Sequence, residues 1–135
     1  MRKRRILEVD VPSTDFIEEA YWDGRGAAPA LRYSFADRGS IVSSGIQFAS
    51  VKALRKRSEN LCTAWHIDDV YDALVEIEDS EWMAELRADA DGHPEFLDGM
   101  HHYMIYLDSV GCFEVVAGGA HSIRPVPATA AVIRK

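Results

Sequence analysis

The strongest pattern in the chain lies at residues 101–117, HHYMIYLDSVGCFEVVA. Residues 103–107 are a run of aromatic and branched side chains, which favour a pleated, half-buried surface. Asp108, Ser109, Val110 and Gly111 supply turn chemistry, and residues 112–117 form a second apolar run. Two such runs across a short glycine-containing loop predict a β-hairpin. Few of its apolar positions alternate with polar ones, so both faces are expected to be covered and the hairpin to lie centrally in a sheet. Glu114, the one charge in the second run, is expected to face solvent or to pair across the hairpin.

Shorter alternations flank this centre. Leu7, Val9 and Val11 alternate with Ile6, Glu8 and Asp10, predicting a strand over 5–11 that Pro12 ends. Ser13 or Thr14 can cap a short helix over 15–22, with acids in its first turn. Leu31, Tyr33 and Phe35 alternate with Arg32 and Ser34, and the turn-like Asp37-Arg38-Gly39-Ser40 leads into a second arm, so 30–36 and 41 onward read as a hairpin. That arm is expected to run to about residue 54, with a bulge or bend at Gly45. Residues 67–78 fit either period; a helical turn near 68–72 followed by a strand over 73–78 is favoured, because Ser80 reads as a fresh helix cap. Trp82, Met83 and Leu86 then carry helical spacing to about Ala90. Gly118-Gly119 bends the chain, residues 121–124 extend the last strand, and Pro125 and Pro127 exclude a central strand position. Residues 125–135 are expected to be a loose tail. The sum is an α+β domain spanning 1–135: a mainly antiparallel sheet of about five or six strands with one or two helices packed on one face.

Composition adds little to this, and charge adds a good deal. At 47% hydrophobic and 27% charged residues the chain is ordinary globular material. The net charge of −7 conceals an asymmetry: residues 1–60 hold 11 basic and 8 acidic side chains, residues 61–135 hold 4 and 14. Between Asp68 and Asp98 there are twelve acids and one base, Arg87. Such a stretch disfavours nucleic acid on that face and attracts a cationic partner. Basic runs occur at Arg2–Arg5 and Arg55–Arg57, and the first is not followed by the apolar stretch of a secretory signal, so a cytoplasmic protein with no membrane segment is expected. Cys62 and Cys112 then read as free thiols. The strings WHIDDVYDALVEIEDSEW and HHYMIYLDSVGCFEVVA look like those of a small bacterial protein.

Candidate chemistry is sparse. His101 and His102 are adjacent, with His93, His121 and Asp108 near in sequence, but adjacent strand residues point to opposite faces and cannot share one metal ion without a bulge. Cys112 follows a glycine and shares its hairpin with these histidines, which makes a Cys–His pair conceivable. No nucleophile elbow, phosphate loop or dinucleotide fingerprint is present, so no cofactor is expected and no metal site is assigned. The weak catalytic candidates are His101, His102, Asp108 and Cys112. Candidate contact residues are Trp65, a ring placed just before the acids, with Asp68, Asp69, Asp72 and Glu76. The leading expectation is a small acidic, non-enzymatic binding protein engaging a basic protein partner, comparable by charge alone to the small acidic proteins that neutralise toxins. Exposed sheet edges also admit a homodimer. The alternative is a small enzyme or ligand-binding domain with a pocket near the 101–117 hairpin.

Overall fold

The computed structural model describes residues 1–26 and 28–128. Nine strands form two antiparallel sheets. They are β1 (Arg2–Glu8), β2 (Tyr21–Asp23), β3 (Ala30–Asp37), β4 (Ser40–Ala49), β5 (Ala53–Ser58), β6 (Ala73–Glu78), β7 (His101–Leu107), β8 (Gly111–Ala117) and β9 (Gly119–Pro127), with two helices, α1 (Ala64–Ile67) and α2 (Glu81–Asp89). One sheet has the order β1-β6-β7-β8-β5, the other β2-β3-β4-β9.

The expected hairpin is β7–β8, in register from His101 opposite Ala117 to Leu107 opposite Gly111, and it lies in the middle of the five-stranded sheet. Both of its faces are covered. Tyr103, Ile105, Leu107, Phe113 and Val115 meet Leu31, Tyr33, Phe35, Ile46 and Phe48 of the other sheet in one apolar layer. The opposite, outer face carries Met104, Tyr106 and Cys112 under Cys62 and Ile67, and Val116 under Met83, Trp82 and Leu86. Both helices therefore pack on the same outer face, α1 over one half of it and α2 over the other.

Several expectations need correction. The strand count is nine in two sheets, not five or six in one. The long second arm of the first hairpin breaks at Ser50, which takes a left-handed φ of 54°. The chain there leaves the four-stranded sheet and re-enters as β5 at the edge of the other. The bend at Gly118 is the matching crossing from β8 to β9, and the two crossings are tied by Gly118 N–H donating to Ala49 O at 2.7 Å. No helix forms over 15–22: a single 3-10 turn at Ser13–Asp15 is followed by extended chain and β2. Extended backbone lets Phe16 stack on Tyr33 at 4.3 Å and brings Trp22 to 5.6 Å from Phe48, contacts that outweigh a helix of modest propensity. The helical turn lies at 64–67, ahead of 68–72, because Asp69 and Asp72 both take left-handed φ. The first strand begins at Arg2, three residues earlier than expected, drawn along β6 by cross-strand ion pairs of Arg2 with Glu78 and of Arg4 with Glu76. Pro125 and Pro127 lie in β9, an edge strand, where a missing N–H is tolerated; residues 129–135 of the expected tail lie outside the described residues.

Candidate functional site

The covered part of the outer face of the five-stranded sheet is apolar except around one carboxylate. Glu114 faces outward from β8 and is only 6% exposed, between the areas covered by α1 and α2. Arg55, directly opposite on β5, donates two hydrogen bonds to its carboxylate at 3.0 and 3.1 Å. His102 of β7, 4% exposed, places Nε2 2.7 Å from Glu114 Oε1, the oxygen that also accepts from Arg55 at 3.1 Å, and Nδ1 2.7 Å from the Ser80 hydroxyl. Ser80 is the N-cap of α2 and its oxygen accepts the Met83 N–H at 3.0 Å. Trp82, on the first turn of α2, closes the group from above: Arg55 lies 4.0 Å over its ring and His102 meets its edge at 5.1 Å.

Ser80, His102 and Glu114 thus have the connectivity of a nucleophile–base–acid relay, with the hydroxyl engaged as a helix cap and the imidazole buried. The Ser80 oxygen already accepts a helix N–H, and the imidazole is enclosed by Trp82 and the sheet. A nucleophile needs an open side on which a reacting atom can sit about 3 Å away. What the geometry does is fasten α2 and β5 to the centre of the sheet through one carboxylate.

Burial alone would raise the Glu114 carboxyl, but the His102 hydrogen bond and then Arg55 outweigh it and hold it at about 2. A carboxyl depressed in the folded state stabilises the fold fully above its ordinary value, and that contribution disappears as the pH falls through the folded value. Urea unfolding followed from pH 5 to pH 2 should therefore show a steep loss of stability, on the order of 3 kcal/mol from this group. Glu114→Gln should flatten that acid limb.

The other candidates fall in separate places. His101 and His102 do point to opposite faces: His101 Nδ1 meets Glu76 at 2.6 Å, where Arg4 also pairs, and burial of Glu76 is outweighed by His101 and then Arg4, leaving its carboxyl below the usual value. Asp108 accepts the Tyr71 hydroxyl at 2.9 Å, and its backbone N–H donates to Ser13 Oγ at 2.8 Å. Cys112 is buried beneath Cys62; burial, and then the Glu114 charge, push its thiol well above the ordinary range, away from nucleophilic thiolate. Asp72 accepts the Ser13 N–H at 3.1 Å, so it and Glu76 serve contacts inside the chain. Trp65 is 37% exposed, with Lys3 4.1 Å above its ring, and Asp68 and Asp69 are exposed beside it. Among the described residues no group of three or more His, Cys, Asp or Glu is placed to hold a metal ion.

Ser80 was legible as a cap, His102 as a candidate, and Glu114 as a charge that faces solvent or pairs across its hairpin, which it does with His102; the arrival of Arg55 and of the Ser80 cap at that pair was not, since both come from elements outside the hairpin.

Six of the remaining acids follow one another along α2 and the turn after it. Glu81, Glu85 and Asp89 stand at i, i+4 and i+8 of α2, all exposed, followed by exposed Asp91, Glu95 and Asp98. Like charges at that spacing cost a helix a few tenths of a kcal/mol each. Among the described residues the side-chain partner found in this group is His93, whose Nδ1 lies 3.0 Å from Glu95, whereas Glu76, Glu78 and Glu114 are paired with arginines of β1 and β5. Phe96, between Glu95 and Asp98 in the chain, stands 58% exposed and stacks on His93 at 5.2 Å. Met1 links α2 to the Trp65 region: its Sδ lies 3.4 Å from Glu81 N, and it lines a shallow cleft of about 540 Å³ with Trp65, Asp68 and Asp69.

The two basic runs lie on opposite edges of the five-stranded sheet, four strand spacings or roughly 19 Å apart, and so do not form one basic stripe. No helix among the described residues is long and apolar enough to cross a membrane. No family model matches the chain, and neither a curated protein nor a solved structure does.

Proposed function

We propose that this protein is a small non-enzymatic binding module that engages a basic protein partner through the surface of α2 and the turn after it. The observation that carries this reading is the segregation of charge: Glu76 and Glu78 are paired with β1, whereas Glu81, Glu85, Asp89, Asp91 and Asp98 face solvent along one segment that also exposes Phe96. An exposed aromatic side chain in a segment rich in charge suits an interface in which burial supplies affinity and charge supplies on-rate and partner choice. Trp65, Asp68 and Asp69, adjoining through Met1, extend the same surface. By charge alone the nearest functional analogy is a small acidic neutraliser of a cationic toxin.

The test is capture at low and high salt by the immobilised protein, then titration of the purified captured partner. A basic partner released by salt is expected, with affinity lowered by about a hundredfold in Glu81→Lys/Glu85→Lys/Asp89→Lys and by about tenfold in Phe96→Ala. The same partners held with unchanged affinity by both variants would sink the reading.

A further inference from the structure

The acidic surface leaves the opposite charge on β5 without a role. β5 is the outermost strand of its sheet and pairs with β8 alone. Every residue from Leu54 to Ser58 is exposed. The other outer strand, β1, is also cationic, but there Arg2, Arg4 and Arg5 have Glu78, Glu76 and Glu8 as partners. Among the described residues only Arg55 of the β5 cations has a carboxylate, Glu114; Arg57 donates to the Leu61 carbonyl at 3.3 Å, and Lys56 lies 5.8 Å over the Phe113 ring. Beside them is an open cleft of about 580 Å³ lined by Arg55, Lys56, Arg57, Ser58, Leu61 and Glu114, with Leu61 64% exposed.

We propose that the free edge of β5 accepts an extended acidic segment of a partner protein as an added strand. An exposed edge presents unpaired backbone groups, and strand addition uses them for affinity while side-chain positions give selection. Here the selection is twofold. Arg57 lies on the outer face with Cys112 and Glu114, facing the cleft, so a carboxylate on that face of the incoming strand finds a cation. Leu54 and the Lys56 stem lie on the other face, opposite Val115 and Phe113, so the alternate positions of the incoming strand meet apolar surface. The segment it fits alternates acidic and apolar residues. A second copy of this chain does not fit edge to edge: two β5 strands, each carrying Arg55, Lys56 and Arg57, repel each other.

The test uses a fluorescent nine-residue peptide of alternating glutamate and valine, capped at both ends, with an alternating lysine–valine peptide as control. The acidic peptide should bind, more weakly at high salt, and slow amide exchange over residues 53–58. Lys56→Glu/Arg57→Glu, both exposed positions, should weaken binding by about tenfold or more, and N-methylation of alternate peptide amides should abolish binding to the unaltered protein. Absence of binding below about 1 mM overturns the proposal. So does equal binding of the lysine peptide, of the charge-reversed variant, or of the N-methylated peptide. The α2 charge reversals used above leave β5 untouched, so the two surfaces fail or succeed separately.

Discussion

Replacing Glu114 by alanine should lower the unfolding free energy at pH 7 by about 3–5 kcal/mol, measured by urea titration. The cost is not the worth of one ion pair. Arg55 loses its only carboxylate, and His102 keeps the Ser80 hydroxyl on one nitrogen while the other faces an empty buried space. Removing one member of such a group strands the rest, whereas replacing all of it with apolar side chains of similar volume can be neutral or stabilising. Arg55→Met/His102→Leu/Glu114→Leu should accordingly recover most of the loss. The single variant should also loosen α2, since Trp82 rests on Arg55 and the Ser80 cap is shared with His102. Exchange of the 81–89 amides is then expected to quicken before that of β7 and β8. A loss below about 1 kcal/mol would mean that water entering from the neighbouring cleft already solvates the carboxylate.

This group also shows where sequence reading reaches its limit. Local signals carried well: the uninterrupted apolar runs of β7 and β8, the Ser80 cap and the end of α2 are written in adjacent residues, and each lies where its pattern placed it. Division into two sheets was not legible. β4 and β5 read as one strand because Ser50 carries no sign of its left-handed φ, and the crossing is fixed by Gly118 meeting Ala49 from far along the chain. Charge misled in the same way. Glu76 belongs to the acidic run in sequence, yet Arg4, which pairs with it, is 72 residues away. Counting charges along a chain overstates the free surface wherever opposite runs become neighbouring strands. The acids of α2 and its following turn, with Asp68 and Asp69, have no cationic strand beside them and keep the acidic character of the stretch.

Gly45→Ala should destabilise the protein by about 3 kcal/mol, lowering Tm by roughly 10 °C. The sequence marks Gly45 as a bulge or bend, and the register of β4 against β9 does shift between Ser43 and Gly45. The reason for glycine is closer packing than a bend requires. A Cβ here would lie 2.3 Å from the Leu31 carbonyl oxygen and 3.2 Å from Arg32 Cα, both backbone of the neighbouring strand. Backbone cannot swing aside as a side chain can, so β3 must move away from β4. Leu31 and Ile46, on either side of the contact, are fully buried in the layer between the sheets. Ser44, next in the chain, donates to Asp10 at 2.7 Å or to the Ile123 carbonyl at 2.9 Å, and would be displaced with them. Gly119→Ala is the control, since an added Cβ there meets nothing within 4 Å. If Gly45→Ala unfolds like the unaltered protein, β3 and β4 can separate without loss and the four-stranded sheet is not held by this contact. If it falls as expected while Gly119→Ala does not, the inter-sheet layer is set by how closely these two backbones approach, and α2 and β5 are displayed on a frame that tolerates little adjustment.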